Sequence, residues 1–141
     1  MENRKGSHTV YSIEYHIEWT TKYRYKVLKG TISERLREVI RQGCEAHGIT
    51  IVRGRIGKDH VHLLVSCPPT MSPSKIVQLL KGRSSKIMQE KFEELRKRYW
   101  GQHLWSRGYF CRTVGTVTEE TIKEYIENQE DEYDKKFKIT E

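Results

Sequence analysis

Cysteines, prolines and long apolar runs are all scarce in this chain. Its 141 residues include three cysteines and three prolines. Cys44, Cys67 and Cys111 are odd in number and far apart. They give neither a disulfide framework nor a CxxC zinc ribbon, and they suit reduced thiols in a cytoplasmic protein. No segment approaches the roughly 18 apolar residues of a membrane span, and the first residues carry no apolar signal core. A (β/α)8 barrel, which needs roughly 250 residues, is excluded by length. There is no repeat, low-complexity tract or linker. The expectation is a single domain, residues 1–141, large enough to bury a real core.

Positive charge, by contrast, is in excess. The formal net charge is +7. Thr118 to Glu141 holds nine acidic and four basic residues, net −5, so residues 1–117 carry +12. A basic body with an acidic tail suggests a polyanion partner that docks on a defined face.

The first nine residues read as a loose arm. Val10 to Trp19 ("VYSIEYHIEW") alternates, with Glu14, His16 and Glu18 on one side and Ile13, Tyr15, Ile17 and Trp19 on the other. That is the period of a strand. A basic, aromatic stretch follows, ending at Gly30. Thr31 to His47 reads as a helix, capped by Thr31 or Ser33, with Ile32, Leu36, Val39, Ile40 and Gly43 on one stripe and Gly48 as its stop. Ile49–Ile56 and His60–Ser66 form a strand pair across a tight turn at Gly57–Asp59. Ser72 and Pro73 open a second helix that loosens at "GRSS" and continues from about Lys86 to Arg98. Tyr109–Val114 is a fourth strand, and Thr118 caps a last helix over 118–139. The order β-α-β-β-α-β-α predicts an α+β, ferredoxin-like split βαβ fold, an antiparallel sheet with helices on one face.

The segment "KDHVHLLVSCPP" carries the chemistry. On a strand, His60, His62, Leu64 and Ser66 share one face, and Val61, Leu63 and Val65 share the other. The apolar set belongs under the helices. Two imidazoles then stand on the opposite side, close enough to reach one ion, with Asp59 available to orient a ring. Ordinary paired surface histidines are the competing reading, so a further ligand is needed. The last helix offers one. At about 100° per residue, Gln129 falls within the stripe of Ile122, Ile126, Tyr133 and Phe137, and Tyr125 flanks it. A buried amide needs a partner, either an ion or backbone, and a tyrosine at a helix edge can simply pack. Taken together, two histidines, a carboxamide and a tyrosine form a coherent nucleic-acid active site. In it an ion polarises a phosphodiester and a phenol attacks phosphorus.

These residues resemble the HUH-superfamily single-tyrosine transposases (TnpA type) of small bacterial insertion sequences. The resemblance is carried by "YHIEWTTKYRYKVL" at 15–28, "DHVHLLVSCPP" at 59–69, "KGRSSKIM" at 81–88, "LWSRGYFCRTVG" at 104–115 and "YIENQ" at 125–129. HxH with a C-terminal YxxxQ in this frame is a specific pattern. The resemblance implies Mg²⁺ or Mn²⁺ held by His60, His62 and Gln129, and Tyr125 as the nucleophile. It also implies a 5′-phosphotyrosine intermediate with release of a 3′-hydroxyl. The implied substrate is single-stranded DNA with subterminal hairpins. The implied assembly is a homodimer with one merged sheet, in which the tyrosine helix of one subunit serves the HUH face of the other.

Lys22, Tyr23, Arg24, Tyr25 and Lys26 alternate charge with rings, which suits backbone contact and base stacking on unpaired DNA, or a solvated strand exit. Lys81, Arg83, Ser84, Ser85 and Lys86 are candidate phosphate contacts. Trp19, Trp100 and Trp105 are expected in the core or at a dimer interface, and His16 is expected to be structural. The rival functions are a domesticated hairpin-DNA-binding relative, an HUH replication or relaxase-type nickase, and a basic RNA-binding sheet.

Overall fold

The structure, a computed structural model, describes residues 4–5, 10–11, 13–114, 124 and 126. Two short strands, β1 (Arg4–Lys5) and β2 (Val10–Tyr11), pair antiparallel with each other. This corrects the expectation of a loose arm followed by one strand from Val10. The main first strand is β3 (Glu14–Thr20). After a 3-10 turn at Lys22–Arg24 come α1 (Gly30–Ala46), β4 (Thr50–Ile56), β5 (His60–Ser66), α2 (Pro73–Lys91), α3 (Glu93–Arg98) and β6 (Phe110–Thr113). The last four strands with β3 at their centre form one sheet in the order β4-β5-β3-β6, antiparallel throughout. This is the expected ferredoxin-like α+β arrangement.

Strand alternation sorts the sheet into two faces. Ile17, Trp19, Ile51, Val61, Leu63 and Val65 point into the main core, where they meet Leu36, Val39 and Ile40 of α1 and Ile76, Leu80 and Met88 of α2. Trp19 and Trp105 meet edge to face at 5.8 Å within it. Trp100 is 87 % exposed, so the core half of its expectation does not hold.

Three helix details differ from the sequence reading. Neither Thr31 nor Ser33 caps α1, because the turn into the helix is made at Gly30, whose φ of +60° favours glycine. The second helix does not loosen at "GRSS". The helix runs unbroken through it, with Ser84 Oγ donating to the Leu80 carbonyl at 2.5 Å inside the helix. The break falls instead at Phe92, whose extended backbone (φ −117°, ψ 108°) separates α2 from α3. By contrast, Ser72 caps α2 as expected, accepting from the Lys75 amide at 3.2 Å.

β4 contains a bulge. Ile51 pairs with Val65 and Arg53 with Leu64, so Val52 is an extra residue. Strict alternation from Ile51 would send Arg53 and Arg55 into the helix-covered core. The bulge instead sets Arg55 opposite His62, on the open face.

Of the expected C-terminal helix, Glu124 and Ile126 are among the described residues, and both are helical. Tyr125, Gln129, and the rest of 118–139 lie outside them. Ile126 is fully buried, packed with Leu64, Val114 and Val52 on the sheet face that α1 and α2 leave open.

Candidate active site

The open face gathers its polar groups from three neighbouring strands. β5 supplies His60 and His62, β3 supplies His16 and Glu18, and β4 supplies Arg55. The turn before β5 fixes His60. Its Gly57 amide donates to the His60 carbonyl at 2.8 Å, and the strand exit at Thr21 and Leu28 donates to the Asp59 and Lys58 carbonyls. Gly57 is required for a steric reason. A Cβ there would stand 2.3 Å from Cε1 of the His60 ring.

The hydrogen bonds of His60 define its tautomer. Nδ1 lies 2.7 Å from Asp59 Oδ1, and Nε2 lies 2.9 Å from the Arg55 guanidinium. A carboxylate only accepts and a guanidinium only donates, so Nδ1 carries the proton and Nε2 presents a lone pair. Asp59 also accepts from Arg24 Nε at 3.1 Å. Burial opposes its charge, but the bonds from His60 and Arg24 outweigh that and hold its carboxyl below the usual range. His62 is buried, and its Nε2 lies 3.2 Å from Glu18 Oε1. That hydrogen bond, helped by the neighbouring histidines, keeps the Glu18 carboxyl low despite partial burial.

The two ring centres of the HUH pair are 4.9 Å apart. Two imidazoles bound at right angles to one ion at about 2.1 Å would place their centres about 4.5 Å apart, so the pair suits a shared divalent ion. Among the described residues, however, no three His, Cys, Asp or Glu side chains are arranged to hold an ion. The lone pair of His60 Nε2 is taken up by Arg55.

His16 belongs to this face too. Its ring lies 5.7 Å from that of His62 and 5.5 Å from that of Phe110. Burial, with the charges of His62 and Arg112, pushes its pKa down to about 4 against the opposing pull of Glu18.

A second feature is a groove of about 970 Å³ between α2, the 3-10 turn and the loop after α3. Lys22, Tyr23, Lys86, Arg96 and Arg107 give it a basic, partly aromatic rim. Tyr23 is 67 % exposed and, with Arg24, adopts a left-handed backbone (φ 63° and 54°), an uncommon strain for residues with side chains.

This chain matches the family described as IS200-like transposases over residues 9–129. The chain belongs to that family. It is 36 % identical over 131 residues to the ISDra2 transposase TnpA of Deinococcus radiodurans, covering 93 % of this chain and 94 % of that one. It is 35 % identical to the transposase for insertion sequence element IS200 of Salmonella typhimurium, covering 93 % and 86 %. A crystal structure from Deinococcus radiodurans R1 superposes with a TM-score of 0.74 at 36 % identity, over 89 % of this chain and 97 % of that one. A REP-associated tyrosine transposase bound to a REP hairpin shares the fold, with a TM-score of 0.59 at 12 % identity over 84 % and 68 %.

In this IS200-like transposase, Asp59, His60 and His62 stand together as expected, while Tyr125 and Gln129 lie outside the described residues. Of the ten candidate DNA contacts, Lys22, Tyr23, Lys81, Ser85 and Lys86 line the groove. The others go elsewhere. Arg24 pairs with Asp59. Tyr25 packs on Tyr99 with the Arg98 guanidinium 4.0 Å above its ring. Lys26 is exposed. Arg83 lies against Gly43 of α1. Ser84 is buried, bonded to Leu80 and to Trp105 Nε1 at 2.9 Å, so it serves the core and not a phosphate. Lys81 donates to the Ser106 and Gly108 carbonyls at 2.7 and 2.8 Å, which fixes the groove's far wall. Glu18 and Arg55 were missed. The signal for Arg55 was a charge at core parity in "IVRGRI", which requires a bulge.

Proposed function

We propose that this transposase cleaves and rejoins single-stranded DNA at insertion-sequence ends, using Tyr125 as nucleophile and a divalent ion held by His60, His62 and Gln129. The observation that carries the reading is the HUH pair on the open sheet face, with His60 fixed by Asp59 so that Nε2 offers a lone pair. Ile126, next in sequence to Tyr125, is buried against Leu64 two residues beyond His62 on that same face.

A bound Mg²⁺ or Mn²⁺ supplies Lewis-acid polarisation of the scissile phosphodiester. The chain's own part is to deliver the phenol and position the phosphate. Tyr125 oxygen bonds to phosphorus as its proton leaves to solvent. The P–O3′ bond breaks, and the departing oxygen takes up a proton as a free 3′-hydroxyl. A 5′-phosphotyrosine conserves the ester, so attack by another 3′-hydroxyl reverses the step and joins new ends.

The basic groove carries the hairpin, with Lys22, Lys86, Arg96 and Arg107 on phosphates and Tyr23 on an unpaired base. A homodimer follows from pairing of β6, whose outer side has no strand partner among the described residues and which carries the exposed Phe110. The two-fold pairing would merge the sheets.

The test uses a labelled single-stranded end sequence with Mn²⁺ and a denaturing gel. A covalent adduct that disappears in Tyr125→Phe is expected. A native shift with no adduct under either metal would instead identify a hairpin-binding relative without transposase chemistry.

A further inference from the structure

Trp100 is a large apolar side chain that neither the core nor its own turn accounts for. It is 87 % exposed, whereas Trp19 and Trp105 are buried. Its backbone is left-handed, with φ of 56°. The turn that ends α3 imposes that conformation. The Gly101 amide donates to the Arg96 carbonyl at 2.8 Å, and the Trp100 amide donates to the Lys97 carbonyl at 3.4 Å. This is a Schellman turn, and the position Trp100 holds in it ordinarily goes to glycine. A bulky residue is strained there. The glycine comes one residue later, at Gly101. The indole therefore serves neither the packing nor the helix stop.

Its surroundings point to what covers it. Arg96, Lys97 and Arg98 form the last turn of α3, just before it. Gly101, Gln102 and His103, just after it, line the basic groove, as does the exposed Tyr23. Rings run between these two edges of the groove. Tyr23 lies 5.4 Å from Tyr25, and Tyr25 lies 5.6 Å from Tyr99, the residue before Trp100. The cations of α3 are held in place, Arg98 over the Tyr25 ring and Arg96 on the Gln89 and Glu90 carbonyls. A protein-docking surface is a contiguous apolar patch. Trp100 instead stands between a run of cations and a glycine-and-polar loop. A lone ring beside cations suits a flat ring carried on an anionic chain, which is a nucleobase on its phosphate backbone.

We propose that Trp100 is a stacking platform for one unpaired base of the DNA in the groove, with the α3 cations on the adjoining phosphates. This rests on the reading of the groove as the DNA site. In a duplex each base face is covered by its neighbours, so an indole reaches one only where the strand is unpaired. Every base has such a face, so the contact selects single-stranded over fully paired DNA without selecting sequence.

The test uses the full chain, the single-stranded end sequence and the same sequence annealed into full duplex. With Trp19 and Trp105 buried, quenching of tryptophan emission by acrylamide reports Trp100. The single strand is expected to quench that emission and to protect it from acrylamide, and the duplex to do neither. Trp100→Gly removes the ring and suits the turn. It should melt at or above the temperature of the unaltered chain, yet bind the single strand on the order of tenfold more weakly, with duplex affinity unchanged. Trp100→Phe should recover most of the loss. Single-strand binding that leaves the emission and its acrylamide access unchanged overturns the proposal. So does a Trp100→Gly protein that melts lower and binds equally well, which would make the indole a structural residue. Protection that rises with protein concentration in the absence of DNA would assign the ring to a second copy of the chain, and also overturns it. Failure of the unaltered chain to bind either DNA overturns the groove reading beneath it.

Discussion

Replacing Asp59 by alanine removes two contacts at once, the 2.7 Å bond that holds the proton on His60 Nδ1 and the 3.1 Å bond to Arg24. Without the first, the imidazole is no longer committed to presenting a lone pair at Nε2. Loss of such an orienting carboxylate typically weakens metal binding about 10- to 100-fold, or roughly 1.4–2.7 kcal/mol. The second contact is worth less. Arg24 is mostly exposed, and an ion pair of that kind contributes under about 1 kcal/mol, so the melting temperature should move by only a few degrees. Asp59→Asn divides the effects. Its amide oxygen can still accept from Nδ1, but its NH₂ then faces Arg24 donor to donor. Mn²⁺ affinity measured by titration calorimetry should therefore fall in the order Asp, Asn, Ala. Hairpin affinity should not fall in either variant, because Arg24 is left with an unpaired charge beside the DNA-facing turn. Asp59→Ala binding Mn²⁺ as tightly as the unaltered chain would show that the carboxylate does not organise His60.

Other perturbations read other parts of the structure. Gly57→Ala drives a methyl into the His60 ring and should weaken Mn²⁺ binding and cleavage with the far-ultraviolet circular dichroism unchanged, whereas retained metal affinity would mean the ring can move aside at no cost. Ser84→Ala strips the buried Trp105 Nε1 of its acceptor and should cost about 1–3 kcal/mol in urea unfolding, and an unchanged midpoint would return Ser84 to the list of DNA contacts. His16 has a folded pKa of about 4 against an ordinary 6.5, so as pH falls the unfolded chain takes up its proton first. The resulting stability is whole above about pH 6.5 and is lost progressively toward pH 4. His16→Gln should therefore lose less stability over that window, and an identical pH slope would refute the assignment.

The parts of this protein written in short-range periodicity could be read from the sequence. The bounds of β5 and the turn at Gly57–Asp59 follow from alternation and turn chemistry, and so does the pairing of histidines on the uncovered face. Which face of β5 is buried was accessible because an apolar Val61-Leu63-Val65 set has only one place to go under two helices, whereas the strand order, with β3 beside β5, was not read from the sequence. Three further features were not legible, each because a tertiary contact overrides a local rule. Ser84 reads as a polar helix-breaker until Trp105 arrives to bond it. Trp100 reads as core by composition, yet the left-handed turn after α3 (φ 56°) turns it to solvent. Arg55 reads as half of a basic strand until the extra residue Val52 shifts the register by one. The chemistry proposed for Tyr125 and Gln129 comes from the resemblance and the helical stripe, and both residues lie outside the described ones.

The central claim is that the DNA becomes joined to one particular phenol. Reacting the full chain with a single-stranded end sequence and Mn²⁺, digesting with nuclease and protease, and sequencing the modified peptide by mass spectrometry tests it directly. The account requires a residual 5′-phosphonucleotide on the peptide at Tyr125, and none in the His62→Ala protein. A nucleotide attached at any other residue, or strand cleavage that leaves no peptide modified, would contradict it.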